Sequence, residues 1–496
     1  MTPGNPVPQR QACAGLLPST MELLVQGGDG RIALDPVSGI NKYGCRPLPD
    51  DELAAFGSST ASVISEAGFA AADDLRRRIL LAAGSEAEAA IYTREVSRMR
   101  RELADLCGVG ALDGVECVLA ASGTDLHLIA AQLAAGVQGR PPLVVMVDAA
   151  ETGSGVPAAL GAPAGNGMAA EVIAVALRCD DGSVRAMAEV DAEVGSLVRD
   201  AVNAGRRVLL VMADQSKTGM IAPSPACVAT LHCELAEHVE VLVDACQFRL
   251  APATVRAYIE HGFMVALTGS KFVGGPSFSG VLLIPPSSAR RFRWRPLPRI
   301  LAACSRRAEW PASWAAANAL DDAANFGLLL RWEAALEELR RFRALPEAGI
   351  AAFLQSFSDA VSRRLDGDAS FEPLPVPRLE RGALLETVGW DCVQTIFPFL
   401  LYRTDAGDRK VLNNTEIQQV YRLLQTALPG AGGLRCQLGQ PVACGWQDGV
   451  PVSALRLCLS ARLVTEALRG KEQAERVVAQ ALASLDKAAL IVAAMK

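Results

Sequence analysis

Ala266-Leu-Thr-Gly-Ser-Lys271-Phe-Val-Gly-Gly-Pro-Ser-Phe-Ser-Gly280 decides the reading of this chain. Apolar residues 263–267 read as a strand that delivers a single lysine onto a turn rich in Gly and Pro, and a second apolar run, 281–284, follows at once. Thr268 and Ser270 flank Lys271 with hydroxyls. Backbone packed around such a lysine leaves little room for water. Burial disfavours the ammonium form, so a free amine is expected at Lys271. An amine of that kind attacks a carbonyl and forms a Schiff base. The plainer alternative is a strand-end lysine that reaches solvent, as most lysines do.

The segment upstream weighs against that alternative. Val239-Glu-Val-Leu-Val-Asp244-Ala-Cys-Gln247 reads as a buried strand with one carboxylate at its C-terminal end. A carboxylate so placed suits a protonated pyridine nitrogen, and Lys271 with Asp244 makes the handle for pyridoxal 5'-phosphate. At these residues the chain resembles the fold-type I pyridoxal-phosphate enzymes, within them the class V aminotransferase and cysteine desulfurase group. The resemblance rests on Asp244-Ala-Cys-Gln247 and Thr268-Gly-Ser-Lys271-Phe-Val-Gly-Gly-Pro276 and spans residues 56–464. It implies an aspartate-aminotransferase-like α/β fold. A large domain has a mainly parallel sheet of seven-stranded type covered by helices, and a smaller α+β domain lies C-terminal. The expected division is an arm over residues 1–60, a cofactor-binding domain over 61–325, and a linking helix with the small domain over 326–496. It also implies a homodimer, with residues 277–279 and the basic run 290–299 as candidates for a wall shared between subunits.

Composition sets the frame for this reading. The chain has 496 residues, half of them apolar, enough for two or three domains with a large core. A net charge of -6 and a pI near 5.5 do not point to nucleic acid or an anionic membrane surface as partner. Thirteen cysteines without a Cys-x-x-Cys pair read as reduced thiols, hence a cytoplasmic protein. Four histidines, none at ligand spacing to cysteine, give no metal site. No signal peptide is expected, and no apolar run approaches the roughly 18–20 residues of a membrane span.

In chain order, Ser58, Ser59 and Thr60 come first. They read either as a helix N-cap region or, by the resemblance, as substrate contacts at the active-site mouth. Helical patterns fill 70–81 and 86–106. Glu116-Cys-Val-Leu-Ala-Ala-Ser122-Gly-Thr124 then reads as strand, turn and helix start, so Ser122, Gly123 and Thr124 stand where backbone N–H groups and the helix dipole favour a phosphate. A plain N-cap by Ser122 or Thr124 is the other reading. Strands near Val118, Val144, Val208, Val241, Val265 and Val281 alternate mostly with helices, which argues for a largely parallel sheet with ligands beyond the strands' C-terminal ends. The resemblance implies a histidine or aromatic on the cofactor ring where this chain has Thr152, with His127 too early for that role. It implies a contact to the phenolic oxygen from Ser216 or Gln247. A long helix is expected over 325–343, strands over 393–400 and 455–460, and a final helix from 471 to about 494. In Ser453-Ala-Leu-Arg456-Leu-Cys-Leu-Ser460, Arg456 matches the arginine that binds the substrate carboxylate in the related enzymes, and a guanidinium fork suits that role. A structural ion pair is the alternative.

The chemistry is less fixed. A desulfurase carries a mobile cysteine before the arginine strand, and that position falls near Val442, with Cys436 and Cys444 off it. Ser270 stands where desulfurases and group II decarboxylases have histidine. Aminotransferase is therefore the first reading. A Cα/Cβ lyase or desulfurase-like enzyme is the alternative, and a non-catalytic cofactor-binding protein comes third, since no basic helix-turn-helix precedes residue 56.

Overall fold

The structure, a computed structural model, describes residues 17–135, 141–163, 167–385, 389–405, 408–428 and 433–495. Two sheets organise it. The first strand, β1 (Leu53–Phe56), belongs to the smaller sheet. The larger is built from β2 (Glu116–Ala120), β3 (Leu143–Val147), β4 (Glu171–Val175), β5 (Val208–Asp214), β6 (Ile221–Ala222), β7 (Val239–Asp244), β8 (Met264–Thr268) and β9 (Gly280–Ile284). Its order is β2-β9-β8-β7-β5-β3-β4, with β6 on β5. The ladders β3–β4, β3–β5, β5–β7 and β7–β8 are parallel, and β9 runs against both β8 and β2. Every residue of β3, β5, β7 and β8 is buried. Their Val-, Leu- and Met-rich sequences, broken in β7 by the buried Glu240, are what a sheet covered on both faces requires. This is the mixed α/β architecture expected, with β4 as an additional edge strand. The parallel run brings the C-terminal ends of β5, β7 and β8, hence Asp214, Asp244 and Thr268, to one edge.

The smaller sheet has the order β1-β13-β14-β11-β10, with β12 on β11. Its other members are β10 (Phe371–Pro373), β11 (Ile396–Asp405), β12 (Asp408–Val411), β13 (Arg435–Gln447) and β14 (Val450–Cys458). β1 lies within the segment expected to form an arm, yet it pairs parallel to β13, Leu53 with Arg435 and Phe56 with Leu438.

The helix Phe326–Arg343 joins the two units. Asn325 caps it by accepting the N–H of Leu328 at 3.1 Å. Leu328, Leu329, Leu330, Trp332, Ala334, Ala335 and Leu336 are fully buried in the larger core. On the same helix Arg331 is buried and holds down the N-terminal segment. It donates to the carbonyls of Leu24, Gln26 and Gly27, and through Nε to that of Phe278 at 2.7 Å. The helix Lys471–Ala494 is long and apolar enough to span a bilayer by length and composition. Its Val477, Ala481, Leu485, Ala488, Ile491 and Val492 instead lie in the second core. Lys487, buried there, donates to the carbonyls of Leu424, Thr426 and Leu434.

Candidate active site

The lysine turn is shaped by close approach. Gly269 and Gly275 face Ala335, and a Cβ on either would meet the Ala335 Cβ at 2.6 and 2.5 Å. Only glycine lets the turn sit against the long helix. Gly269 N–H donates to Ser279 O and Gly275 N–H to Gly269 O, both at 2.8 Å. Ser62 fastens the turn from the N-terminal side. Its N–H donates to Ser270 O at 3.0 Å and its hydroxyl to Lys271 O at 2.7 Å. Thr268 donates to Cys246 O at 2.6 Å, tying the ends of β8 and β7 together. Lys271 and Ser270 thus line a cavity of about 250 Å³ at the C-terminal edge of the larger sheet.

Asp244 enters this cavity from the end of β7. His127, one turn into the helix Gly123–Ala134, meets it with Nε2 3.2 Å from Asp244 Oδ2. His127 Nδ1 lies 2.7 Å from Gly123 O, so it donates there. A neutral ring would then present a lone pair to the carboxylate, and only the doubly protonated imidazolium suits both neighbours. Burial alone would lower the His127 pKa, but the Asp244 charge outweighs it and raises it. Burial likewise pushes the Asp244 carboxyl up, and the His127 charge overrides this, holding it well below the usual carboxylate range. Nε2 is not aligned for a good hydrogen bond, so the pair acts through charge. Cys246 lies with these two groups within 4.8 Å. Burial, then the Asp244 charge, keeps its thiol protonated and a poor metal ligand.

The side expected to take a phosphate is the start of the helix Gly123–Ala134. Ser122 is its N-cap, in a reciprocal capping box with Asp125. The first-turn N–H groups of Gly123 and Thr124 have no intrahelical partner. A Cβ on Gly123 would meet Cys246 Sγ at 3.0 Å and Thr268 Cγ2 at 3.4 Å, so the cradle needs glycine. Arg31 reaches in from the N-terminal segment. It donates to Thr124 Oγ1 at 3.2 Å and Ser122 Oγ at 3.4 Å, over the Phe278 ring at 5.3 Å.

The opposite wall comes from the smaller sheet. Arg456 on β14 is buried, donating to Lys217 O at 3.1 Å, Thr60 Oγ1 at 3.0 Å and Gln440 O at 2.5 Å. It has no carboxylate partner among the described residues, and its Nε is buried without an acceptor. A register shift in β13 between Gly439 and Val442 turns Gln440, Pro441 and Val442 into the cavity. Ser59 and Thr60 complete this wall, while Ser58 faces away, donating to Leu459 O and accepting from the buried Arg249.

Comparison with known proteins agrees with this geometry in fold. No family model and no curated protein matches the chain. Solved structures do. The cysteine desulfurase CsdA from Escherichia coli aligns over 89% of this chain and 96% of its own at 16% identity, TM-score 0.53. A NifS-like protein aligns over 87% and 99% at 13% identity, TM-score 0.53. The cystine C-S lyase C-DES, solved with cysteine persulfide, aligns over 87% and 98% at 13% identity, TM-score 0.54. The chain has the fold of the cysteine desulfurases.

Within this desulfurase fold, the structure gathers Ser59, Thr60, Ser122, Gly123, Thr124, Asp244, Thr268, Ser270, Lys271 and Arg456 around one cavity. It does not bring Thr152, Ser216 or Gln247 to the lining. Thr152 is buried behind the wall formed by Gly153, Ser154 and Val156. Ser216 donates to Glu151 at 2.7 Å, and Gln247 donates to Ser59 O at 3.0 Å, so both are spent on structure. Lys217, next to Ser216, lines the cavity instead. Arg31 and Lys217 escaped the sequence reading, and His127 was set aside there as too early for the ring. His127 follows Gly123 by four residues, on the same helix face, and that spacing was the available signal. At the desulfurase cysteine position, Val442 is held in β13. Cys444 is buried, and burial pushes its thiol up to about 11.

Proposed function

We propose that this chain is a pyridoxal-phosphate-dependent enzyme acting on an amino acid, and that within this class it is a lyase ahead of an aminotransferase. The observation that carries the reading is Lys271 in one cavity with the Asp244–His127 pair, the Gly123 cradle and an arginine without a carboxylate. These residues fit the cofactor: an amine for its aldehyde, an anion for its ring nitrogen, and free N–H groups with Arg31 for its phosphate. Bound there, pyridoxal phosphate supplies an electron sink for cleavage of a bond at the substrate Cα.

The protein supplies the rest. Asp244, kept ionised by His127, holds a proton on the ring nitrogen. Arg456 orients the substrate through its carboxylate, helped by Thr60. Lys271 would hold the cofactor, and its amine is the group placed to move a proton at the substrate Cα. The lyase branch is favoured because the solved structures reported above include a C-S lyase and desulfurases. The desulfurase step itself is disfavoured, because Cys444 is buried and the position facing the cavity is Val442. A homodimer belongs to the same proposal; within the basic run, Arg291 is engaged by the buried Glu240 at 2.7 Å, whereas Trp294 is exposed.

The test is spectroscopic. Purified protein supplied with pyridoxal phosphate should gain a visible absorption band, and borohydride should fix the cofactor to Lys271 in peptide maps. A label on Lys217, or no band, would overturn the assignment. Release of a keto acid and ammonia without an added keto-acid acceptor separates lyase from aminotransferase.

A further inference from the structure

Charge is the feature of the cavity that the proposed function does not absorb. Arg31, Lys42, Lys217, Lys271 and Arg456 all line it, with Asp244 the one carboxylate among the lining residues; Arg31 is already paired with Asp29 at 2.5 Å, and the other four cations have no such partner among the described residues. Asp244 does not offset them, because its charge faces His127 at 3.2 Å. Under the reading above, three of these cations have assignments. Lys271 carries the cofactor, Arg31 faces its phosphate, and Arg456 meets the substrate carboxylate. Lys217 has none.

Its surroundings make that cation deliberate. Lys217 Nζ donates to a neutral acceptor, Ala149 O, at 3.3 Å. The acids nearest to it are engaged elsewhere. Glu151, buried, is held by Ser216, Thr218 and Arg178. Asp148 accepts the N–H groups of Ala150 and Leu177. The backbone of Lys217 is pinned on both sides, its N–H donating to Glu151 O at 2.8 Å and its carbonyl accepting from Arg456 at 3.1 Å. A flexible ammonium is thereby set beside the proposed carboxylate-binding arginine. Burial, then the charges of Arg456 and Lys271, pushes the Lys217 pKa down to about 8, the direction expected of a cation still waiting for an anion.

We propose that the substrate is an amino acid whose side chain carries its own anionic group, a carboxylate or an oxyacid of sulfur or phosphorus, and that Lys217 is the residue that binds it. Lys42, exposed at the mouth beside Gln440, adds charge of the same sign along the entry path. The proposal rests on the cavity being the substrate site of the enzyme proposed above.

Unreactive anions test it without turnover. Succinate, with two carboxylates, and butyrate, with one, would be titrated by calorimetry into the cofactor-loaded protein and into Lys217→Met and Lys217→Gln variants. Succinate should bind at least ten-fold more tightly than butyrate to the unaltered protein, the usual worth of a charge-assisted contact. That preference should vanish in both variants while butyrate affinity stays the same. Equal affinities in the unaltered protein, or a preference that survives both substitutions, would overturn the proposal. A protein that shows no cofactor absorption would remove the cofactor reading instead. Calorimetry needs no chromophore and would still decide the question of the second anion.

Discussion

Nε2 of His127 stands 3.2 Å from Oδ2 of Asp244, with both side chains buried and the imidazole anchored behind by Gly123 O. One ion pair thus links the end of a sheet strand to the helix whose start is the proposed phosphate cradle.

His127→Leu would leave Asp244 without its cation. Breaking a buried pair costs about 3–5 kcal/mol, and urea unfolding of the cofactor-free protein should show a loss of that order. Its pH dependence is specific. The folded His127 pKa is raised above 6.5, so its contribution is complete below 6.5 and fades as pH rises through the folded value. The folded Asp244 pKa is lowered below 3.8, so its contribution is present above 3.8 and fades only as pH falls through the lower folded value. The difference between the two proteins should be greatest between those pH values and shrink in alkali. A difference that grows with alkali would contradict the pair.

Arg31→Ala removes the guanidinium at the cradle. Hydrogen bonds to charged groups contribute about 1.5–3 kcal/mol, so affinity for pyridoxal phosphate should drop by about ten-fold or more. Affinity for pyridoxal, which lacks the phosphate, should not move. Equal losses for both ligands would place Arg31 elsewhere in the binding process.

Arg456→Ala should raise KM for the amino-acid substrate by at least ten-fold, since losing one partner of a buried charged contact costs about 2–5 kcal/mol. Cofactor absorption should change little. Arg456→Lys should rescue poorly, because an ammonium lacks the planar fork. Full rescue by lysine would argue for charge alone.

Cys444→Ser should keep the main activity, and incubation with cysteine should leave no persulfide on the enzyme. A thiol held near 11 carries little thiolate at neutral pH, and Cys444 is buried beneath Val452 O. A stoichiometric persulfide on Cys444, detected by mass spectrometry and lost in the serine variant, would instead make the chain a desulfurase.

Arg381→Met addresses stability. Arg381 forms a two-point contact with Asp214 at 2.6 and 2.7 Å, and Tyr258 donates to the same carboxylate. Removing it strands a buried charge at the end of β5, and unfolding should become easier by about 3–5 kcal/mol. Cofactor absorption at saturating ligand should persist, because none of these groups lines the cavity.

Asp244 was legible because it ends a mostly apolar strand, and Lys271 because it follows another on a Gly-rich turn; the parallel order of β7 and β8 places those ends side by side. The helices Phe326–Arg343 and Lys471–Ala494 were legible from their helical patterns, although Asn325, read as the first helical residue, is the cap. β13 was not, because Gly439, Pro441 and Gly445 read as loop residues. Two register shifts accommodate them within the ladder. β1 is four residues with half its side chains buried, too short to announce a strand. Arg31 and Lys217 could not be found from spacing, since their place depends on how distant segments fold across the cavity. Ser216 and Gln247 were placed near the site by the resemblance, but their side chains are hydrogen-bonded to Glu151 and Ser59, and Thr152 is buried outside the lining.

The pairing of β1 with β13 orders events during synthesis. Leu53 is made well before its partner Arg435, with the whole larger sheet between them in the chain. Ser59 and Thr60, suspended just beyond β1, cannot reach Arg456 until β14 is made. The strands that carry Asp244 and Lys271, and the cradle at Gly123, are all present in the nascent chain by Ile284. A growing polypeptide therefore holds the residues of the proposed cofactor seat before it has the proposed substrate wall, and the cavity can be completed only after β14 has been made.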